Sequence, residues 1–325
     1  MNELISFIKE RASLFFLFVG LAILVGLLYY VDFDIIRASF NMIGSKIVIV
    51  FAIPIIWISC NTLCISTLTQ HQIPFHHLLY NQITGDAYNV LTPFAGLGGE
   101  PYKIKHLTNW LSLDKASEAI LRDRLIHTLS GIFYSCLTLW IVLFIVELPQ
   151  SFFFTFIVIG TVLALLTALL GFVILSDKPE KFLGIILKKL KLLEEFRGNA
   201  LNHSIFFQAL LLKTLGRFLN LVEIYTIFYL LGVSVGFSDV MTVSAMLSLT
   251  STLLFIIPQG IGINEAGISG ALKLIGHSVE LGLSIGLIRR ARVLFWAVFG
   301  LSLHFFSLLV KNIQFDKQIE HKKQH

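Results

Sequence analysis

The sequence predicts an all-α polytopic membrane protein, with about six long transmembrane helices and two re-entrant helical hairpins arranged as an inverted-topology repeat. Three observations carry this expectation. Of the 325 residues 56% are hydrophobic and only 14% charged, where an average soluble domain has about 25% charged. Six apolar runs are long enough to cross about 30 Å of hydrocarbon, and no soluble domain of useful size fits between them. Two glycine-rich stretches, TPFAGLGGEPYKIK at 92–105 and IIPQGIGINEAG at 256–267, break the remaining apolar sequence in the same way: in each, a glutamate lies seven residues after a proline, with glycines between.

The first run, SLFFLFVGLAILVGLLYYV at 13–31, is longer than a signal-peptide core. Charged residues follow it without a small-x-small cleavage site, so it is expected to stay as an anchor. A second span is expected at 46–69. The stretch 75–110 is too interrupted to cross as one helix and reads as two shorter helices joined by the first glycine-rich run. Spans at 115–146 and 151–176 follow, then a basic and apolar segment at 178–196, read either as a helix along the inner membrane surface or as a solvated loop helix. In the span at 203–231, Lys213, Arg217, Asn220 and Glu223 recur three or four residues apart. They form one polar stripe, which should face the bundle interior. The stretch 238–277 is the second broken pair, and 279–311 is the last span.

Short loops set orientation through their lysine and arginine bias. Lys9 and Arg11, the 103–124 segment, the 177–202 loop and the C-terminal tail are basic, whereas 147–150 and 231–239 contain neither residue. Both termini are therefore expected in the cytoplasm. The scheme closes only if each hairpin begins and ends on one side, the first cytoplasmic and the second external. The chain is then a single membrane domain, 1–325, with one half at 1–147 and an inverted second half at 148–325. An offset of 165 residues takes Pro93 to Pro258, Glu100 to Glu265 and Arg124 to Arg289.

Irregular backbone at membrane depth must be satisfied by protein or by water in a cavity, so paired glycine-rich turns point to a cavity between the halves. Gly98, Gly99, Gly260 and Gly262 can leave amides uncovered, and a helix starting just beyond adds the positive end of its dipole, which suits an anion. Glu100 and Glu265 sit near those helix starts. They either cap their own helix amides or bind a coupling proton or a cationic substrate group, because an acid costs about 2.5 to 3.5 kcal/mol at mid-membrane. Asp123 and Glu223 are the other intramembrane carboxylates. Arg124, Arg217 and Arg289 are the candidate anion ligands, since a guanidinium grips phosphate as a bidentate fork; for Arg217 and Arg289 an internal ion pair to Glu223 or Glu265 is the alternative. Arg122, Lys103 and Lys105 are expected to snorkel to the headgroups. Arg290 and Arg292 cluster with Arg289.

Other chemistry is poorly represented. Cys60, Cys64 and Cys136 lie in apolar runs and read as packing residues. His71, His76 and His77 lack partners at metal-ligand spacing. No nucleophile elbow, phosphate-binding loop or dinucleotide fingerprint occurs, so no enzyme activity and no cofactor are expected. The basic residues lie where the membrane bias already explains them, which leaves nothing to suggest nucleic acid.

At TPFAGLGGEPYKIKHL, RDRLIH (122–127), IPQGIGINEAG and GLIRRARVLFWAVFG (286–300) the chain resembles the lysylphosphatidylglycerol synthase transmembrane-region family, also described as flippase-like membrane proteins. The resemblance covers nearly the whole chain. It implies movement of a lipid with a charged headgroup, a membrane phospholipid or a polyprenyl-linked lipid, across the bilayer. Larger members add a soluble aminoacyl-transferase, which this chain is not expected to contain. Gln259 and Asn264 stand where the family often has a second glycine and an arginine. Two rivals are a membrane-embedded transferase acting on a lipid phosphate through Glu100, Asp123 and Glu265, and a non-catalytic subunit that docks a cytoplasmic lipid-modifying enzyme through 178–197. A homo-oligomer fits any of these.

Overall fold

The computed structural model describes residues 33–92, 98–175, 201–254 and 257–323. The expected span at 13–31 and the basic segment at 178–196 lie outside the described residues, which are helical with no strand.

Helix α1 (Phe33–Ile43) passes through a 3-10 turn at Gly44–Lys46 into α2 (Ile47–Ala52) and α3 (Pro54–Leu68). Together they form an apolar stretch, Ile36–Leu68, long enough to span a membrane. This corrects the expected start at 46. Asn41, Gly44, Ser45 and Lys46 interrupt the apolar run in sequence, but the helical path continues through them because Gly44 takes a left-handed φ of 50°. Pro54 occupies the first turn of α3, where a missing N–H costs little.

The first broken pair is α4 (Phe75–Leu91) and α5 (Glu100–Leu107), and the second is α9 (Phe237–Leu253), a 3-10 turn at Pro258–Gly260 and α10 (Ile263–Leu274). Between and after them run α6 (Leu113–Ile145), α7 (Gln150–Leu175), α8 (His203–Leu230) and α11 (Val279–Lys323). Four of these, α6, α7, α8 and the Val279–Val310 part of α11, are long and apolar enough to cross a membrane. Asn202 caps α8, its Oδ1 accepting from the Ser204 amide at 2.8 Å. The helix of the last span continues past its apolar part to Lys323, where the sequence suggested a tail.

Packing is reciprocal between the two parts of the chain. The first helix of each broken pair lies against the last span of the other part, α4 on α11 and α9 on α6, while α3 packs on α8. The hydroxyls of Tyr80 and Tyr102 both reach His304 Nδ1, at 3.1 and 3.2 Å, and tie the first hairpin to α11. The largest apolar cluster gathers Ile43 and Val50 with Ile224, Ile227, Phe228, Val243, Ile268, Leu272, Ile285 and Ile288. Leu165, Leu169 and Phe172 on α7 are exposed and provide a lipid-facing surface.

Lipid tails are as apolar as leucine, so close packing rather than hydrophobic burial holds such helices together. Gly282 and Gly286, four residues apart on α11, show how. A Cβ on Gly282 would collide with the backbone of Ser269, and one on Gly286 would fall 2.8 Å from Glu265 Cγ. The bare face of α11 thus lets α10 sit directly against it and fixes where Glu265 stands. Gly282→Ala should therefore cost about 1 to 3 kcal/mol and lower the thermal midpoint of the detergent-solubilised protein. Gly270→Ala, with nothing within 4 Å of its added carbon, should leave it unchanged or raise it slightly; equal midpoints for both variants would refute the packing argument.

Candidate functional site

Helix α8 supplies the frame. Its polar stripe does face inward, Lys213 and Arg217 meeting α6 and Asn220 and Glu223 meeting α11. Lys213 Nζ lies 2.7 Å from Asp123 Oδ1 on α6, a carboxylate that also accepts from Cys64 Sγ at 3.4 Å. Arg217 donates to Ser130 Oγ at 3.0 Å through Nε and to the His127 carbonyl at 2.7 Å through Nη2. Room for this guanidinium comes from Gly131, whose added Cβ would stand 2.9 Å from Arg217 Nη2. Asn220 Oδ1 accepts from Arg289 Nη2 at 3.3 Å. Glu223, with no exposed surface, accepts from Arg289 Nη1 at 2.9 Å and faces Arg292 Nε at 3.0 Å. The Arg292 N–H is turned out of line, which makes that contact one of charge rather than a hydrogen bond. Arg292 also lies over the Trp57 ring, 4.6 Å from its centre.

The second hairpin completes the wall. Arg290 grips Glu265 Oε1 twice, at 3.2 and 2.8 Å, and donates to the Gln259 carbonyl at 3.1 Å. Glu265 Oε2 is buried with no hydrogen-bond partner among the described residues. These groups surround a cavity of about 670 Å³ lined by Arg124, Arg217, Arg289, Arg290 and Arg292, with Glu265 as its only carboxylate among the described residues.

A second cavity, about 330 Å³, lies beside the first and shares Arg124, His127, Gln259, Arg292 and Val293 with it. Its remaining wall is mixed, with Asp86, Glu100 and Asp123 against Lys103 and Lys213. At the partition the hairpins touch. Asn89 on α4 accepts the Gly99 amide through Oδ1 at 2.7 Å and the Gln259 side chain through its carbonyl, also at 2.7 Å.

The arginines singled out in the sequence therefore stand around one space, and Glu265 joins them. Glu100 and Asp123 face the second cavity instead, and Glu223 lies behind Arg289 and Arg292. Glu265 accepts from Arg290 through Oε1, and among the described residues no bond from either glutamate to a helix amide stands out. Of the two alternatives for Arg289 the internal ion pair is formed, whereas Arg217 is held by neutral acceptors. Gly98, Gly99, Gly260 and Gly262 are absent from both cavity walls. Two of their amides are already taken, Gly99 by Asn89 Oδ1 and Gly260 by the Ile257 carbonyl at 3.0 Å. Gly99 and Gly260 therefore shape their turns without presenting a donor. Lys103 does not snorkel. It is 3% exposed and bonds Asp86 at 2.8 Å, its stem lying where a side chain on Gly85 would be. The lone acid in the run 75–91 was the available signal for that pair. Arg122 pairs with Glu118 one turn earlier on α6.

A helical polytopic membrane protein with a basic cavity enclosed by its spans is the class these features define. Within it, the chain belongs to the family described as Lysylphosphatidylglycerol synthase TM region, which matches residues 17–301 and is membrane-associated and lipid-related. Comparison with curated proteins gives no match, and neither does comparison with solved structures.

Removing one member of a buried charged set leaves the others uncompensated, at about 3 to 5 kcal/mol, whereas surface pairs contribute about 0 to 1 kcal/mol. Glu223→Gln should accordingly lower the thermal midpoint far more than Glu118→Gln. Comparable shifts would mean that Glu223 does not hold α8 to α11.

Proposed function

We propose that the protein moves a phospholipid or polyprenyl-linked lipid with an anionic headgroup across the membrane, the headgroup passing through the basic cavity while the tails stay in lipid. The observation that carries this is the composition of the cavity wall, among the described residues five arginines against one carboxylate. A charged side chain inside a membrane is costly and marks a substrate or ion path by default. The cavity falls in the 300–1,000 Å³ range of small-ligand sites. Its neighbour, sharing Arg124 and Arg292, offers a second station along the same route, and the reciprocal packing of the broken pairs suits one half rocking against the other.

The same reading treats the protein as a transporter, not an enzyme. It takes the lysine and arginine bias to put both termini in the cytoplasm of a bacterial inner membrane. The transferase rival would need free acids at a donor site, but of its three candidates Asp123 is committed to Lys213 and Glu265 to Arg290, which leaves Glu100 alone. The segment of the docking-subunit rival lies outside the described residues.

Leaflet-resolved labelling of a fluorescent anionic lipid, in vesicles holding only this protein, is the test. Charge-assisted hydrogen bonds contribute about 1.5 to 3 kcal/mol, so Arg217→Ala should slow translocation roughly tenfold to a hundredfold. Arg217→Lys should not restore it, because an ammonium cannot hold Ser130 and the His127 carbonyl while also presenting a planar fork. A wild-type rate no higher than that of protein-free vesicles would overturn the proposal.

A further inference from the structure

Resting on that reading, we infer that the transported headgroup is a net-anionic polyol phosphate, a phosphate bearing neutral hydroxyls such as a glycerol or ring-polyol phosphate, and not an aminated one. Charge is the first argument. Against Arg217, Arg289, Arg290 and Arg292 stand Glu265 and, behind Arg289 and Arg292, Glu223, which among the described residues leaves two positive charges in excess. A phosphate offsets part of that excess. An ammonium on the same headgroup would add to it, in a space where charges interact more strongly than in water.

The second argument is the wall that bears no charge. Helix α9 turns Ser244, Ser248, Ser251 and Thr252 toward the cavity, positions that fall on one helical face. Tyr134 bonds Ser244 at 2.7 Å, Ser135 bonds Ser248 at 2.6 Å and Thr252 at 2.9 Å, and Ser251 donates to Asn264 at 3.1 Å. A hydroxyl has one donor and two acceptor sites, so each of these keeps capacity for a ligand. Asn220, Gln259 and Asn264 add amides to the same lining. Such a surface answers hydroxyl groups, which also both donate and accept.

Glu265 supplies the third. Its Oε1 is occupied by two N–H groups of Arg290, and its Oε2, on a side chain 2% exposed, faces no donor. A buried acceptor of this kind calls for a donor from the ligand, and a hydroxyl provides one without bringing charge. A quaternary amine fits least well. Among the described residues Tyr134 is the only Phe, Tyr or Trp in the wall, and one ring makes no aromatic cage.

The test is direct binding to the full-length chain in detergent, using dihexanoyl forms of phosphatidylinositol, phosphatidylglycerol, phosphatidic acid and phosphatidylethanolamine. Both polyol lipids should bind at least tenfold more tightly than phosphatidylethanolamine and severalfold more tightly than phosphatidic acid. The comparison between the two polyols separates ring from glycerol recognition. In the Ser248→Ala, Ser251→Ala double variant the advantage over phosphatidic acid should disappear. Phosphatidylethanolamine binding as tightly as the polyol lipids, phosphatidic acid matching them in the wild type, or an advantage that survives the double substitution would each overturn the inference while leaving the anion site standing. If none of the anionic lipids binds, the transport reading falls with it.

Discussion

Glu223 is fully buried where α8 meets α11, and a carboxylate persists there only because the guanidiniums of Arg289 and Arg292 stand against it. The rest of the interior follows from this constraint. About one turn before Arg217 helix α8 carries a base for α6, and nearly two turns after it an acid for α11, so the polar stripe is bonded to both long spans that flank the cavity. Reversing the charge of one member of either pair would leave like charges opposed across the bundle. The stripe therefore fixes the rotation of α8, and with it the depth at which Arg217 projects.

Arg217 is treated differently from its neighbours, and the difference matters. Lys213, Arg289, Arg290 and Arg292 each have a carboxylate close by, so much of their charge is cancelled within the protein. Arg217 is held by a hydroxyl and a backbone carbonyl. Neutral acceptors satisfy its donors and orient the plane of the guanidinium without reducing its net charge. Among the described residues no carboxylate forms an ion pair with it. A cavity whose walls are positioned by ion pairs thus keeps at its centre a cation whose field is open to an incoming anion.

Much of this was legible in the sequence because it is local. Lys213, Arg217, Asn220 and Glu223 share a face by spacing alone, and the proline-to-glutamate interval in each glycine-rich run located the broken helices. What was not legible depends on partners far apart in the chain. Nothing near Lys103 indicates that it turns onto Gly85 and Asp86 and not outward to headgroups, and the serines of α9 look like ordinary small packing residues until α6 is laid beside them. The glycines misled for a related reason. A glycine that exposes its amide and one that admits a neighbouring backbone are the same letter, and at Gly99 the second holds, with its amide closed by Asn89. The helical path through Gly44 was hidden because a polar interruption in an apolar run reads as a span boundary, whatever the backbone does there.

Gln259 brings the local and distant constraints together. It sits in the left-handed region at φ 54°, a conformation that costs a residue with a Cβ roughly 1 to 2 kcal/mol, and glycine would sit there freely. The cost is offset by bonds that glycine could make only in part. The carbonyl accepts from Arg290, as any residue's could, but the side chain alone spans to the Asn89 carbonyl of the other hairpin. Arg290 in turn holds Glu265. A continuous chain of contacts therefore runs from the first hairpin through Gln259 and Arg290 to the carboxylate in the cavity wall, and it passes through the partition between the two cavities. Any displacement of one hairpin relative to the other must stretch or break the Asn89–Gln259 bond, so the strain at this turn is maintained only while the hairpins remain together.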